Sequence, residues 1–273
     1  MARPVSFLSD FGIADEFVGV VHGVIARIAP GVRVLDVTHG IRRGDVQSGA
    51  LALLRAVQYL PNGVVLAVVD PGVGTDRAAI AVETEWGFLV GPDNGLLAPA
   101  VAMVGGAGRA VRLEDPRFRL PGGGDTFAGR DVFAPAAAVL ASGEASLDDL
   151  GPDFPVHHLT PLLLPLPSVE GEAVRGEVVW EDGFGNLQTN VSPEDLAAIG
   201  AAPGHHLVLD FGIARHGVPW AAAYGDVGEG ELLAHVDSAG QIAVAVRGGS
   251  AAATLGIGVG RSVTIRSVPE APR

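Results

Sequence analysis

Residues 66–77 read LAVVDPGVGTDR. The first half has the texture of a strand buried on both faces, a run of Leu, Ala and Val without polar alternation. The second half opens on a carboxylate, Asp70, breaks the strand with Pro-Gly-Val-Gly, and closes on Arg77. Helix-flanked parallel sheets bind ligands just beyond the carboxyl ends of their strands, and glycines there let backbone approach a ligand closely. From this stretch alone, a polar turn cap and a ligand site are equally good readings.

The pattern continues on both sides. PVSFLSDFG (4–12) reads as a buried first strand ending at Ser9 and Asp10, and EFVGVVHGVIARIAP (16–30) as an amphipathic helix stopped by Pro30. VRVLDVTHG (32–40) reads as a strand, VQSGALALLRAVQYLP (46–61) as a helix and GVVLAVVD (63–70) as a strand. AAIAVETEWGFLVGPDNG (78–95) reads as a strand pair and DVFAPAAAVLASG (131–143) as a helix. Such alternation predicts an α/β domain with a layered central sheet and helices on its faces.

Near residue 160 the texture changes. LTPLLLPLPSVEG (159–171) carries three prolines and reads as an interdomain linker. Beyond it, GEVVWEDGFGNLQTNV (176–191), HHLVLDFG (205–212), ELLAHVDSAGQIAVAV (231–246) and SVTIRSV (262–268) read as strands joined by Gly-rich turns. The expected organisation is an α/β domain over 1–160, a Pro-rich linker over 161–170, and a smaller, mostly-β, barrel-like domain over 171–273.

Composition narrows the chemistry. The 273 residues contain no cysteine, which excludes disulfides, thiolate metal sites and thiol nucleophiles. All 18 basic residues are arginine, so there is no Walker lysine, Schiff-base lysine or kinase phosphate-binding lysine. The two DFG tripeptides, at 10–12 and 210–212, therefore cannot be kinase elements. A net charge of −13 argues against a nucleic-acid or anionic-membrane surface and favours a small-molecule partner. No segment reaches the length of a membrane span and the N-terminal apolar stretch is too short for a signal peptide, so the expected location is the cytoplasm.

Polar residues collect at predicted strand ends: Asp10, Asp36 with Thr38 and His39, Asp70 with Arg77, and Asp93 with Asn94. Carboxylates at several strand ends of one sheet converge on one rim. EDGFGN (181–186) is a further carboxylate-bearing turn, for which a hairpin built from Asp, Gly and Asn is the stronger reading on its own. His157 with His158 and His205 with His206 are adjacent pairs that point apart on a strand, poor metal pairs, and no metal site is expected. No G-x-S-x-G elbow exists, and GIGVG (256–260) lacks the context of a dinucleotide fingerprint.

Taken together, FLSDFG, VVDPGVGTDR, GPDNGLL, GRDVFAPAAA, DGFGNLQTN and DSAGQIAVAV resemble the S-adenosylmethionine hydroxide adenosyltransferases, relatives of the fluorinating and chlorinating enzymes that use the same sulfonium. They occur in family order across nearly the whole chain. The resemblance implies an N-terminal α/β domain, a C-terminal β domain, and a homotrimer whose sites lie between one subunit's first domain and a neighbour's second. It implies hydrolysis of S-adenosylmethionine to adenosine and methionine, with water attacking ribose C5′ and no cofactor or metal. By the same pattern Asp70 and Arg77 hold the water, and Asp10 grips the ribose hydroxyls. Asp182 and Asn186, with Ser238 close by, match the recognition of the methionine end. Tyr224 would stack on adenine, backbone near Val246 would read the purine edge, and Phe127 would line the ribose. Pro71 and Phe184 fall in the matching motifs as further substrate-binding positions. For Tyr224 and Phe127, ordinary packing is an equal reading.

One position departs from the pattern. The family reads TFHGRD, its histidine joining the aspartate and arginine around the water, whereas this chain has DTFAGRD with Ala128 at that place. An engineered substitution, a natural variant working with two residues, and a binding protein without turnover are three ways to account for it. A halogenase is a further alternative, since Ala128 leaves room for an anion. Against it, a carboxylate about 4 Å from a halide costs on the order of 4 kcal/mol at an effective dielectric of 20.

Overall fold

The computed structural model describes residues 2–121 and 126–268, which leaves Asp125 of the DTFAGRD motif outside the described residues. The chain divides into two compact units, 1–163 and 164–273. The first runs β1 (Val5–Ser9), α1 (Phe17–Ile28), β2 (Val34–Thr38), α2 (Val46–Val57), β3 (Val64–Val68), β4 (Ala79–Glu83), β5 (Phe88–Pro92), α3 (Ala98–Met103), β6 (Arg109–Arg112) and α4 (Ala134–Ser142).

Its six strands form one sheet in the order β2-β1-β3-β5-β4-β6. The first four in that order are parallel. β4 and β5 pair antiparallel, as the stretch 78–95 predicts, and β6 adds antiparallel to β4. Every residue of β1 and β3 is buried, which is what a continuous apolar run demands at the centre of a sheet. Val5 and Phe7 share a core cluster with Val64, Leu66 and Val68 of β3, Val21 and Ile25 of α1, and most of α4. The two-residue repeat of a strand sends alternate side chains to this one cluster. α4 is buried all round, hence apolar all round, and ends on Gly143 in the left-handed conformation. α2 begins under an Asp45 cap that accepts the Ser48 amide at 2.9 Å.

Sheet spacing makes one glycine critical. A Cβ on Gly91 of β5 would lie 2.3 Å from the Ala67 carbonyl oxygen, backbone that cannot yield without separating β5 from β3. Gly91→Ala is expected to destabilise the protein by about 1–3 kcal/mol. The check is a lowered urea midpoint with an unchanged m-value; an unmoved midpoint would refute it.

The second unit runs β7 (Ser168–Glu170), β8 (Ala173–Glu181), β9 (Leu187–Thr189), α5 (Pro193–Ala198), β10 (His206–Asp210), β11 (Arg215–Pro219), β12 (Leu232–Val236), β13 (Ile242–Val246), α6 (Ala251–Leu255) and β14 (Ser262–Val268). Its sheet is antiparallel throughout, in the order β11-β10-β14-β8-β9-β13-β12, with β7 paired to β8. A bridge from Trp220 to Ala234 brings the two ends together, so the sheet is nearly closed. The Pro-rich stretch is not structureless at its end: residues 168–170 form β7, and the Pro165 carbonyl accepts Asn190 Nδ2 at 2.7 Å. No helix among the described residues is long and apolar enough to cross a membrane.

Candidate active site

Because β1, β2, β3 and β5 are parallel, their carboxyl ends share one rim, and the predicted strand-end residues lie along it. Asp10 follows β1 directly and its amide donates to the Val68 carbonyl at 3.3 Å. Its Oδ2 accepts the Gly44 amide at 2.7 Å. Pro71 lies beside the same glycine, since a Cβ on Gly44 would stand 3.5 Å from Pro71 Cβ. Asn94, beyond β5, donates to the Val69 carbonyl at 2.9 Å and so anchors the residue preceding Asp70. Asp93 is occupied elsewhere, accepting the amide and hydroxyl of Thr160 at 2.8 and 3.1 Å.

Residues 70–77 fold into a compact double turn. The Val73 amide bonds the Asp70 carbonyl, and the Thr75 amide and hydroxyl both bond the Gly72 carbonyl. A Cβ at Gly72 would meet Arg77 Cγ at 3.2 Å and Thr75 Oγ1 at 3.3 Å, so glycine lets the loop fold back on itself. The turn delivers Arg77 to Asp70 in a two-point pair: Nε donates to Oδ1 at 2.9 Å and Nη2 donates to Oδ2. The Asp70 and Arg77 side chains are 6% and 15% exposed respectively, so solvent screens this pair little. The guanidinium also lies 5.2 Å from the Phe133 ring centroid.

Ala128 stands next to a wide turn. Residues Gly129–Phe133 form a π-helical turn, closed by the Ala134 amide on the Gly129 carbonyl, that leads into α4. A cavity of about 660 Å³ is lined by Arg77 and Ala128 together with Asp76, Arg112, Arg119 and Asp131, among others. Arg77 and Ala128 thus line one cavity, and Asp70 is joined to it through its pair with the guanidinium. Phe127 packs edge-on against Phe11 and Phe17, at 5.7 and 5.1 Å between centroids, beside the Asp10 turn.

In the second unit Asp182 organises its own turn. Oδ1 accepts the amides of Phe184 and Asn186, both at 2.9 Å, and Oδ2 accepts Asn186 Nδ2 at 2.8 Å. That same Nδ2 donates to Tyr224 Oη at 3.3 Å. Burial, the Asp182 charge and then Asp237 push the Tyr224 phenol above its ordinary range, against the Asn186 bond. Phe184 projects from the turn, 81% exposed. Ser238 is exposed in the loop after β12, while Val246 is buried at the opposite end of β13. Arg247 ties that end back to the Tyr224 turn, its Nη1 donating to the Val227 carbonyl at 2.6 Å.

A model of the SAM hydroxide adenosyltransferase N-terminal domain matches residues 5–151, and that of the C-terminal domain matches residues 176–264. The chain belongs to the SAM hydroxide adenosyltransferase family. An (R)-S-adenosyl-L-methionine hydrolase of Salinispora tropica is 48% identical over 253 residues, covering 93% of this chain and 94% of that protein. A more distant relative, a fluorinase of an Actinoplanes species, is 28% identical with 96% of each chain covered. The crystal structure of an uncharacterized conserved protein from Thermotoga maritima superposes with a TM-score of 0.88 at 35% identity, covering 96% of this chain and 99% of that one.

Within this family member, the matched positions fall into two groups, one in each unit. Asp10, Asp70, Pro71, Arg77, Phe127 and Ala128 belong to the first; Asp182, Phe184, Asn186, Tyr224, Ser238 and Val246 belong to the second. His235 escapes motif reading altogether. It is an isolated histidine inside a strand, yet its ring lies 5.0 Å from that of Tyr224, and its buried Nε2 has no hydrogen-bond partner among the described residues. No alternation along ELLAHV flags it, because Leu233, Ala234 and His235 are buried in succession. Of the paired histidines, His157 and His158 do not point apart on a strand as expected: they lie exposed on a 3-10 turn, which brings their rings edge to face at 4.4 Å between centroids, while His205 bonds Ser267 Oγ at 3.1 Å.

Proposed function

We propose that this protein hydrolyses (R)-S-adenosyl-L-methionine to adenosine and L-methionine, at a rate attenuated by Ala128. The observation that carries the reading is the desolvated two-point pair of Asp70 and Arg77, just beyond the end of β3, with Ala128 lining the same cavity as Arg77. The relatives' names support the substrate and its epimer. Water oxygen attacks ribose C5′, the C5′–S bond breaks with both electrons going to sulfur, and methionine leaves as a neutral thioether, so no general acid is needed. Two lone-pair positions on Asp70 remain beyond those taken by Arg77, and one of them accepts the water proton as the C–O bond forms. Arg77 fixes that carboxylate and favours hydroxide character in the transition state.

The remaining assignments belong to the same proposal. Asp10 holds the ribose diol, with Pro71 and Phe127 beside the sugar. Asp182, Phe184, Asn186 and Ser238 take the methionine end, Tyr224 stacks on adenine, and backbone at Val246 reads the purine edge. No cofactor or metal enters the chemistry, because the sulfonium carries its own leaving group. Catalytic assembly is proposed as a homotrimer with sites at subunit interfaces, in the cytoplasm, without nucleic-acid or membrane partners. The functional division is an α/β domain over 1–160 with a layered sheet, the Pro-rich linker 161–170, and a barrel-like domain over 171–273.

The missing imidazole also favours a second reading, a protein that binds S-adenosylmethionine or adenosine without turnover. One experiment separates the two: incubation with each sulfonium epimer, followed by chromatography. Adenosine and methionine in equal amounts, faster from the (R) epimer than the no-enzyme control, is the expected result. Intact ligand after days, with binding seen by calorimetry, would replace hydrolysis by the binding reading.

A further inference from the structure

The rim holds one polar chain that the proposed reaction does not use. His39 is buried with both ring nitrogens engaged: Nδ1 lies 2.7 Å from Ser9 Oγ and Nε2 lies 3.0 Å from Asp36 Oδ1. The same Asp36 oxygen meets His22 Nε2, on α1, at 2.8 Å. A carboxylate only accepts, so the hydrogen of neutral His39 sits on Nε2, and Nδ1 offers a lone pair to the Ser9 hydroxyl. Ser9 Oγ in turn accepts the Phe11 amide at 3.3 Å, and the His39 carbonyl accepts the Gly12 amide at 2.8 Å. Residues 9, 11 and 12 are therefore all fastened, directly or through Ser9, to His39. Asp10 lies inside this clamp, its amide donating to the Val68 carbonyl at 3.3 Å and its Oδ2 accepting the Gly44 amide.

The order Ser9–His39–Asp36 has the connectivity of a nucleophilic relay, but Ser9 is fully buried and cannot meet a substrate. Positioning is the role left to it. We propose that Ser9 and His39 set the orientation of the Asp10 carboxylate and thereby determine recognition of the ribose diol; this rests on the reading of Asp10 as the ribose ligand. A bidentate acceptor for two vicinal hydroxyls must be held within about 0.5 Å to make both bonds, and a supporting hydrogen-bonded shell is what supplies that accuracy.

The test compares adenosine with 2′,3′-dideoxyadenosine, binding to the intact protein by calorimetry. The parent prefers adenosine by about tenfold or more. Ser9→Ala and His39→Gln delete the bond between Oγ and Nδ1, and each is expected to cut that preference several-fold while leaving the dideoxy affinity unchanged. His39→Asn, whose amide oxygen can occupy the place of Nδ1, retains it. A purely structural contribution would weaken both ligands together or leave their ratio alone. A discriminating parent with Ser9→Ala discriminating equally well overturns the positioning role. A parent that binds both nucleosides equally overturns the assignment of Asp10 itself, and the proposal with it. Ser9→Ala removes a single heavy atom, so it carries the comparison even if the His39 variants fail to fold.

Discussion

Ala128→His is expected to raise the rate of adenosine formation by about 100-fold while changing KM by no more than a few-fold. Ala128 has helical backbone angles, φ −57° and ψ −27°, that accept histidine without strain. The cavity it borders with Arg77 offers about 660 Å³, more than an imidazole requires. A third polar group facing the water restores a fixed attack geometry, and misplacement by about 1 Å costs roughly 100-fold. The gain belongs to kcat because the added group contacts the nucleophile and not the body of the ligand. Steady-state kinetics check it, along with a new ionisation near the ordinary histidine range, about pH 6.5, below which the imidazole is protonated and the gain declines. Unchanged turnover with an unchanged pH profile would show that the histidine's absence is immaterial.

The second large effect is expected from Asp70→Asn, which lowers kcat by about 10²–10⁴-fold in either background. An amide keeps the shape and one acceptor oxygen, but it cannot take the water proton, and its NH2 cannot accept from Arg77. One guanidinium hydrogen bond is then lost, at a stability cost of about 1–3 kcal/mol. The melting curve measures that cost separately from the kinetics. Substrate affinity within a few-fold of the parent, alongside the lost turnover, would fit a group that acts on water; equal loss in kcat and in affinity would mean that Asp70 holds the ligand.

How much of this was legible depends on the kind of signal. The continuous runs at Val5–Ser9 and Val64–Val68 announce strands buried on both faces, and Pro30 marks where α1 must stop. Short elements such as α3, β6, β11, α5 and α6 have too few residues to establish a period, and tertiary packing defines them instead. The Asp70 to Arg77 pair was visible as two charges around a glycine turn, but its two-point geometry was not. That geometry matters for the halide alternative: the repulsion argued from sequence treats Asp70 as a bare carboxylate, whereas Arg77 offsets part of its charge. The electrostatic case against a halide is weaker in the folded protein than in the sequence. The clamp of His39 on Ser9 joins residues 30 positions apart, a distance that no local pattern spans.

The π-helical turn after Ala128 has a consequence for how this site can change over evolutionary time. One residue fewer between Gly129 and Phe133 would turn it into ordinary helix and rotate everything before it by about 100° relative to α4. Residue 128 would swing away from the cavity it lines with Arg77. Point replacement keeps the register, so the side chain at 128 is chemically interchangeable while the spacing around it is not. Selection can exchange imidazole for methyl here by replacing one residue, and back again, but a deletion in the same turn would remove the position itself.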